Sequence, residues 1–317
     1  MVGAGVFGLS VAVSLQALGL PVTLTDPSPG APNASSVAAG LIAPISEAIF
    51  DPVAASRYDL LMAAHHAWRM FAERWVLSVD RSGVVLCGDH SSALSRLGAA
   101  GEPHALGYWV ADDRVENPAT ALRDLRAAFL GMGGMIDVRT WTQGDLRNPV
   151  VLAVGPGGSA LTGLAPELHH LAPIKGQIAI APHGPTDGPT LRWTGGYLAP
   201  QPGGARIGAT MEPGRSDTQV EPEAIAALGD QALAYAPGLD LRDLKGQAGV
   251  RMGTPDGLPL VGPSRTPGVW LATGARRNGW LLAPLVGAII AAYFTGNDPG
   301  PWAARMDPRR FEREGGF

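Results

Sequence analysis

Cysteine is nearly absent from the 317 residues: Cys87 is the only one. It excludes an intramolecular disulfide and any multi-cysteine zinc or iron–sulfur centre, and it suits a reducing, cytoplasmic setting. Lysine is almost as scarce, with Lys175 and Lys245 alone. Chemistry through a lysine Schiff base therefore has little support, though a general composition bias, shared with the richness in Ala, Gly and Pro, explains the scarcity better. An excess of positive charge is missing too: 24 basic against 28 acidic residues leave a formal charge of −4. That offers no basic field for nucleic-acid phosphates or anionic lipid. Residues 1–25 carry no charge at all, yet no Lys or Arg opens them and Gly3, Gly5, Gly8, Gly19 and Pro21 interrupt them. The longest unbroken stretch is about half of what a membrane-spanning helix needs, so no integral span is expected. What the chain does have is 46% hydrophobic residues with 43 glycines and 28 prolines. Such a composition describes a globular protein with a large core, divided between two domains.

Gly3-Ala4-Gly5-Val6-Phe7-Gly8 has the G-x-G-x-x-G spacing of a dinucleotide-binding turn. Gly3 permits the tight turn, Gly5 lets backbone N–H groups approach a pyrophosphate, and Gly8 lets the following helix pack closely. The helix is expected over Leu9 to Leu18, ending at Gly19, with a strand over Pro21 to Thr25. Asp26 follows, where a carboxylate accepts the hydroxyls of an adenosine ribose. The alternative is a Gly-rich turn that binds nothing. Only Met1 and Val2 precede Gly3, so the first strand is either a stub or lacks its true start. Both predict lowered stability or cofactor affinity.

Further along, residues 59–75 read as an amphipathic helix carrying His65 and His66. Neighbouring helix positions diverge too far for both to ligate one metal, and no metal is expected. Gly83 to Cys87 reads as a buried strand with Cys87 in the core, and Ala119 to Leu130 as a helix. Pro149 to Val154 reads as a buried parallel strand delivering the turn Gly155-Pro156-Gly157-Gly158. From Ile174 to Met211, alternating segments with glycine turns suggest a mixed or antiparallel sheet, the floor of a second domain. Pro222 to Tyr235 is helical, Val269 to Ala272 a strand, and Leu282 to Tyr293 an uncharged, buried helix.

Four blocks of this sequence resemble the glycine oxidase and D-amino acid oxidase family of flavoproteins, most closely the glycine oxidase branch linked to thiamine synthesis. They are Gly3 to Asp26, Asn33 to Pro44, Tyr197 to Met211, and Gly249 to Pro284. The resemblance implies an α/β fold: a Rossmann-like FAD-binding domain of the glutathione-reductase type, with a second, mainly antiparallel-sheet substrate domain. The division implied is residues 1–83, 115–165 and 247–317 for the first, and 84–114 and 166–246 for the second. Non-covalent FAD is expected on Gly3, Gly5, Val6, Phe7, Gly8 and Asp26, and on Ser35, Ser36, Ala39, Gly40 and Leu41 of the loop after the acid. Gly155, Arg251, Gly274, Arg277, Asn278, Gly279, Trp280 and Leu281 complete the set, with Val138 as the adenine contact.

The resemblance also makes Arg251 the clamp for a substrate carboxylate, Tyr197 a second donor, and Arg277 a neighbour of flavin and active-site mouth. Met211 would line the pocket. A guanidinium fork suits a carboxylate bidentately, and a lone one in apolar surroundings is costly. An ion pair with Asp256 is the alternative for Arg251, and ordinary strand and core places are the alternatives for Tyr197 and Met211. The implied reaction is oxidative deamination of glycine or a small amine, with oxygen reduced to hydrogen peroxide and no protein base. Rivals are an oxidase or dehydrogenase of larger D-amino acids, a flavin-binding protein without activity, and a nicotinamide enzyme, for which no second nucleotide site is found. Pro156-Gly157-Gly158 and Met252 depart from the family pattern and put the pocket's shape in question. Homo-oligomerisation is left open.

Overall fold

The computed structural model describes residues 1–146 and 149–312. Met1 to Gly3 occupy the centre of a parallel sheet. Val2 bridges in parallel to both Thr25 and Leu152, donating its N–H to the Val151 carbonyl at 2.9 Å and accepting from Ala153 N at 2.8 Å. On one side Thr23–Thr25 pairs in parallel with Met135–Asp137. On the other, Val150–Leu152 pairs in parallel with Val269–Thr273, whose far edge takes Leu260–Pro263 antiparallel. The short central segment is thus bonded along both edges.

The first helix spans Val6–Gln16, starting directly after Gly5 rather than at Leu9. It lacks charge because it lacks a solvent face: Val6 to Val13 and Leu15 are all buried. Its partner is the equally uncharged helix Gly279–Thr295. A Cβ on Gly287 would stand 2.9 Å from the Ser10 carbonyl, so glycine lets the two backbones meet. Burial of apolar surface at about 25 cal/mol per Å² holds this pair in place. Among the described residues no helix is long and apolar enough to cross a membrane.

The amphipathic helix Tyr58–Trp75 turns Leu60, Leu61, Ala64, Trp68 and Phe71 inward. The Trp68 indole donates to the carbonyls of Trp280 at 2.9 Å and Leu281 at 3.1 Å, fixing the start of the last long helix. Beside it, His65 is buried with Nδ1 unpartnered, and no group of three His, Cys, Asp or Glu among the described residues could hold a metal.

A second, larger sheet runs Lys245–Gly253, Ala172–Ala181, Gly204–Gly208, Gly196–Gln201, Thr190–Trp193, Val84–Cys87 and Gly107–Val110. Its pairings are antiparallel except Thr190–Trp193 with Val84–Cys87. Lys245–Gly253 crosses the division expected at residue 247. Side chains alternate between faces. Val85, Cys87, Ala179, Trp193, Leu198 and Ile207 pack under the helix Pro222–Leu233, and burial pushes the Cys87 thiol up to about 11. Lys175 is also fully buried, its ammonium 2.8 Å from Asp217. The opposite face carries Arg192, Tyr197 and Arg206.

Candidate functional site

A cavity of about 270 Å³ opens above the parallel sheet. One wall is Gly3 to Phe7 with Asp26; the others come from Asn33 to Ser35, Ala153 to Pro156, Val250 to Met252 and Ala272 to Trp280. Gly3 has φ +100°, where L side chains rarely sit, and a Cβ on Gly8 would overlap the Gly3 carbonyl. The helix beginning at Val6 has no cap from its own N-cap residue and no acid in its first turn, so its positive dipole end, with its first N–H groups other than Val6 N, is offered to the cavity. The Asp26 carboxylate accepts from Ala4 N and Ser28 N, both at 2.8 Å. This fixes the acid at the cavity's rim.

The loop after the acid is built by its own side chains. Asn33 Oδ1 accepts from Ser35 N at 2.9 Å and Ser36 N at 3.1 Å, while Ser36 Oγ accepts from Asn33 N at 2.9 Å. Ser35 Oγ in turn accepts from Val6 N at 3.0 Å, at the mouth of the first helix. The far sheet grips the loop from below. Arg206 Nη1 donates to the carbonyls of Ser36, Val37 and Ala38 at 3.0, 2.9 and 2.7 Å, and Gln201 Nε2 donates to Ala39 O at 2.7 Å.

A second cavity, about 120 Å³, adjoins the first and shares Ala38, Arg251, Arg277 and Trp280 with it. It is floored by Tyr197 and Ala209, and walled by Ala39 to Leu41, Met211, Asn278, Glu47, Phe50 and Arg192. Arg251 is half-buried, and its Nη1 is buried without a partner. Asp256, the alternative partner for Arg251, is held by Arg310 at 2.8 and 3.0 Å. Two glycines make room for the donors. A Cβ on Gly176 would stand 2.6 Å from Arg251 Cζ, and one on Gly208, directly across from Tyr197, would overlap the phenol oxygen. Burial pushes the Tyr197 pKa up, so the hydroxyl keeps its proton and remains a donor.

Charge in this cavity is organised by Glu47, 5% exposed. Burial alone would raise its pKa, but Arg277 and Arg192 outweigh that and hold it low. Arg277 Nε and Nη2 each lie 3.1 Å from the carboxylate, and Arg192 Nη2 lies 3.6 Å from it. Arg277 Nη1 also reaches the Met211 sulfur at 3.5 Å. Behind them Arg276 pairs with Asp51.

Of the residues expected to hold cofactor, Gly3, Gly5, Val6, Phe7, Asp26, Ser35, Gly155, Arg251, Gly274, Arg277, Gly279 and Trp280 line the first cavity. Ala39, Gly40, Leu41 and Asn278 line the second. Gly8 packs beneath the turn, Ser36 serves as a cap, and Leu281 is wholly buried behind Trp280. Val138 is 64% exposed and lines neither cavity. Glu47, Phe50, Arg192, Arg206 and Asn33 were not expected. For Glu47 and Arg192 the signal was a charge inside an apolar stretch, Pro44-Ile45-Ser46-Glu47-Ala48-Ile49 and Thr190-Leu191-Arg192-Trp193.

The chain is similar to known proteins over nearly its whole length. It is 28% identical to a glycine oxidase of Pseudomonas aeruginosa, covering 96% of this chain and 97% of that one. It is 30% identical to the tRNA 5-methylaminomethyl-2-thiouridine biosynthesis bifunctional protein MnmC of Maricaulis maris, over 94% of this chain but 52% of that longer protein. In structure it superposes on a glycine oxidase of Geobacillus kaustophilus with a TM-score of 0.81 at 21% identity, covering 98% and 97% of the two chains. The family model DAO, FAD dependent oxidoreductase, matches residues 1–144 and 102–293. An open helix mouth above a parallel sheet, a carboxylate at its rim and a match through residue 293 lead to one conclusion: this chain belongs to the FAD dependent oxidoreductase family.

Proposed function

We propose that this oxidoreductase binds FAD non-covalently in the larger cavity and oxidises the C–N bond of a small amino acid in the smaller one. The observation that carries the reading is Arg251, a guanidinium on the wall common to both cavities whose buried Nη1 has no partner in the protein. A buried donor left open is costly unless a ligand completes it. Arg251 clamps the substrate carboxylate, the Tyr197 hydroxyl is the second donor, and Met211 with Arg277 closes the wall. The first helix mouth and Ser35 meet the pyrophosphate, and Asp26 meets the ribose. Bound FAD supplies the two-electron acceptor. The substrate loses its α-hydrogen with both electrons and one amine proton, forming C=N; water then releases ammonia and an oxo acid. Oxygen takes up two electrons and two protons to become hydrogen peroxide. Glu47 is tied to Arg277 and Arg192 and its pKa is low, so it takes no proton. Orientation of the amine carries the catalysis.

The test is reconstitution with FAD, a visible absorption spectrum, and anaerobic titration with glycine, sarcosine and D-alanine, followed by peroxide assay in air. Bleaching of the flavin band by one of them, with peroxide formed in equal amount, is the expected result. No flavin uptake, or no bleaching by any small amino acid, sinks the reading. Replacing Arg251 with Met should lower kcat/KM by about two orders of magnitude or more, mostly through KM, as for truncating one partner of a buried charge pair.

A further inference from the structure

The smaller cavity holds more positive charge than one carboxylate can balance. Among the described residues lining it, Arg192, Arg251 and Arg277 face a single carboxylate, Glu47. Asp51, the next acid, pairs with Arg276 and also lies 3.8 Å from Arg277 Nε, so the four guanidiniums of Arg192, Arg251, Arg276 and Arg277 share two carboxylates. Arg277 holds Glu47 through two bonds of 3.1 Å, whereas Arg192 approaches it only to 3.6 Å. Arg192 is nevertheless 2% exposed. Its Nη1 is used by the Trp193 carbonyl at 3.0 Å and the Gly196 carbonyl at 2.6 Å, its plane rests on Phe50 at 5.0 Å, and its Nε has no partner. A buried guanidinium in that state is an incomplete site.

Placement adds direction. Arg192 stands directly across from Tyr197 on the neighbouring strand, on the same face of the sheet and bordering the same cavity as Arg251. Directly opposed side chains in a sheet are neighbours. A ligand whose first carboxylate lies on Arg251 and Tyr197 therefore has Arg192 beside Tyr197 for whatever extends across the floor.

We propose that the preferred substrate carries a second carboxylate, held by Arg192, and is thus a small amine dicarboxylic acid. The inference rests on the C–N oxidation proposed above and names its substrate class. One carboxylate neutralises Arg251, and the second neutralises the charge that Glu47 leaves over between Arg277 and Arg192. The amine lies between them, and the oxidation is unchanged in its atoms and electrons. A glycine-sized substrate would leave Arg192 desolvated and unmatched.

The test compares kcat/KM of the FAD-loaded enzyme for D-aspartate and N-(carboxymethyl)glycine with that for glycine, sarcosine and D-alanine. A second charge-assisted contact predicts a preference of about 10- to 150-fold for at least one dicarboxylate. Non-reactive probes give a readout without turnover: malonate and succinate should perturb the flavin spectrum at lower concentration than acetate and propionate. Replacing Arg192 with Gln should collapse the dicarboxylate-to-monocarboxylate ratio through KM, and Arg192→Lys should restore part of it. A purely structural Arg192 would lower all substrates alike. If the Gln variant does not fold, the wild-type series and the probes decide. Equal or better use of glycine, with no advantage for malonate or succinate, overturns the proposal and leaves amine oxidation standing. Failure of every amine to bleach the flavin overturns both.

Discussion

Arg251 and Tyr197 owe their positions to glycines on neighbouring strands. Gly176 leaves the space that the Arg251 guanidinium fills, and Gly208 leaves the space under the Tyr197 ring. Gly176→Ala should therefore displace Arg251, the far end of a flexible side chain, rather than the backbone. The expected outcome is a KM for substrate raised about 10-fold or more, since a bond to a charged group is lost, with the FAD dissociation constant within a few-fold of wild type. A weakened FAD affinity with KM unchanged would count against this placement of Arg251. Residues of this kind were partly legible in the sequence. Arg251 and Tyr197 stand in segments with a pattern of their own, whereas Glu47 and Arg192 are single charges in apolar stretches, and nothing local says that they meet across 145 positions. Val138 was expected at the adenine from the family resemblance, and the structure leaves it at the surface.

Elements were more legible than partners. The two uncharged helices, Val6–Gln16 and Gly279–Thr295, could be read as buried because neither has a polar stripe. Their mutual packing could not, since it depends on Gly287 meeting the Ser10 backbone. The central strand was foreseen only as a stub, because Met1 to Gly3 acquire strand character from the two strands that flank them. The helix start is correspondingly intolerant. A Cβ at Gly8 would collide with the Gly3 carbonyl, a backbone atom that cannot swing aside. Gly8→Ala should lower the melting temperature and abolish FAD uptake, where the same change at exposed Gly131, which meets nothing within 4 Å, should do neither. Thermal denaturation and flavin absorbance of the two variants check this, and normal FAD uptake by the Gly8 variant would refute it.

At the scale of the whole molecule, two buried carboxyls outside the cavities set a pH dependence. Burial pushes Glu116 up to about 8, against one opposing N–H from Asn117 at 3.0 Å, and leaves its Oε2 unpartnered. Asp113, buried while accepting from Ile45 N and Ser46 N, is pushed up to about 7. The native state then keeps protons that the unfolded chain has already released, so stability falls as pH rises. For Glu116 that window runs from the ordinary carboxyl value of 4.5 to about 8. Urea midpoints should decline from pH 5 to pH 8, and Glu116→Gln should flatten the decline. An unchanged slope in the variant would show that Glu116 does not cause it.

Arg206 has a consequence for how the halves of the molecule respond to one another. One nitrogen at the centre of the far sheet carries the backbone of three successive loop residues, and that loop borders both cavities. Whatever steadies the loop from above must steady the sheet below, because opening either costs the same three bonds. Cofactor concentration then acts as a thermodynamic variable on strands it never touches. At FAD one hundred times its dissociation constant, linkage supplies about 2.7 kcal/mol to the folded state, and part of it should appear as slowed amide exchange in Ala172–Ala181 and Gly204–Gly208. In an Arg206→Gln variant the same FAD saturation should protect the parallel sheet while the floor strands exchange as they do without it.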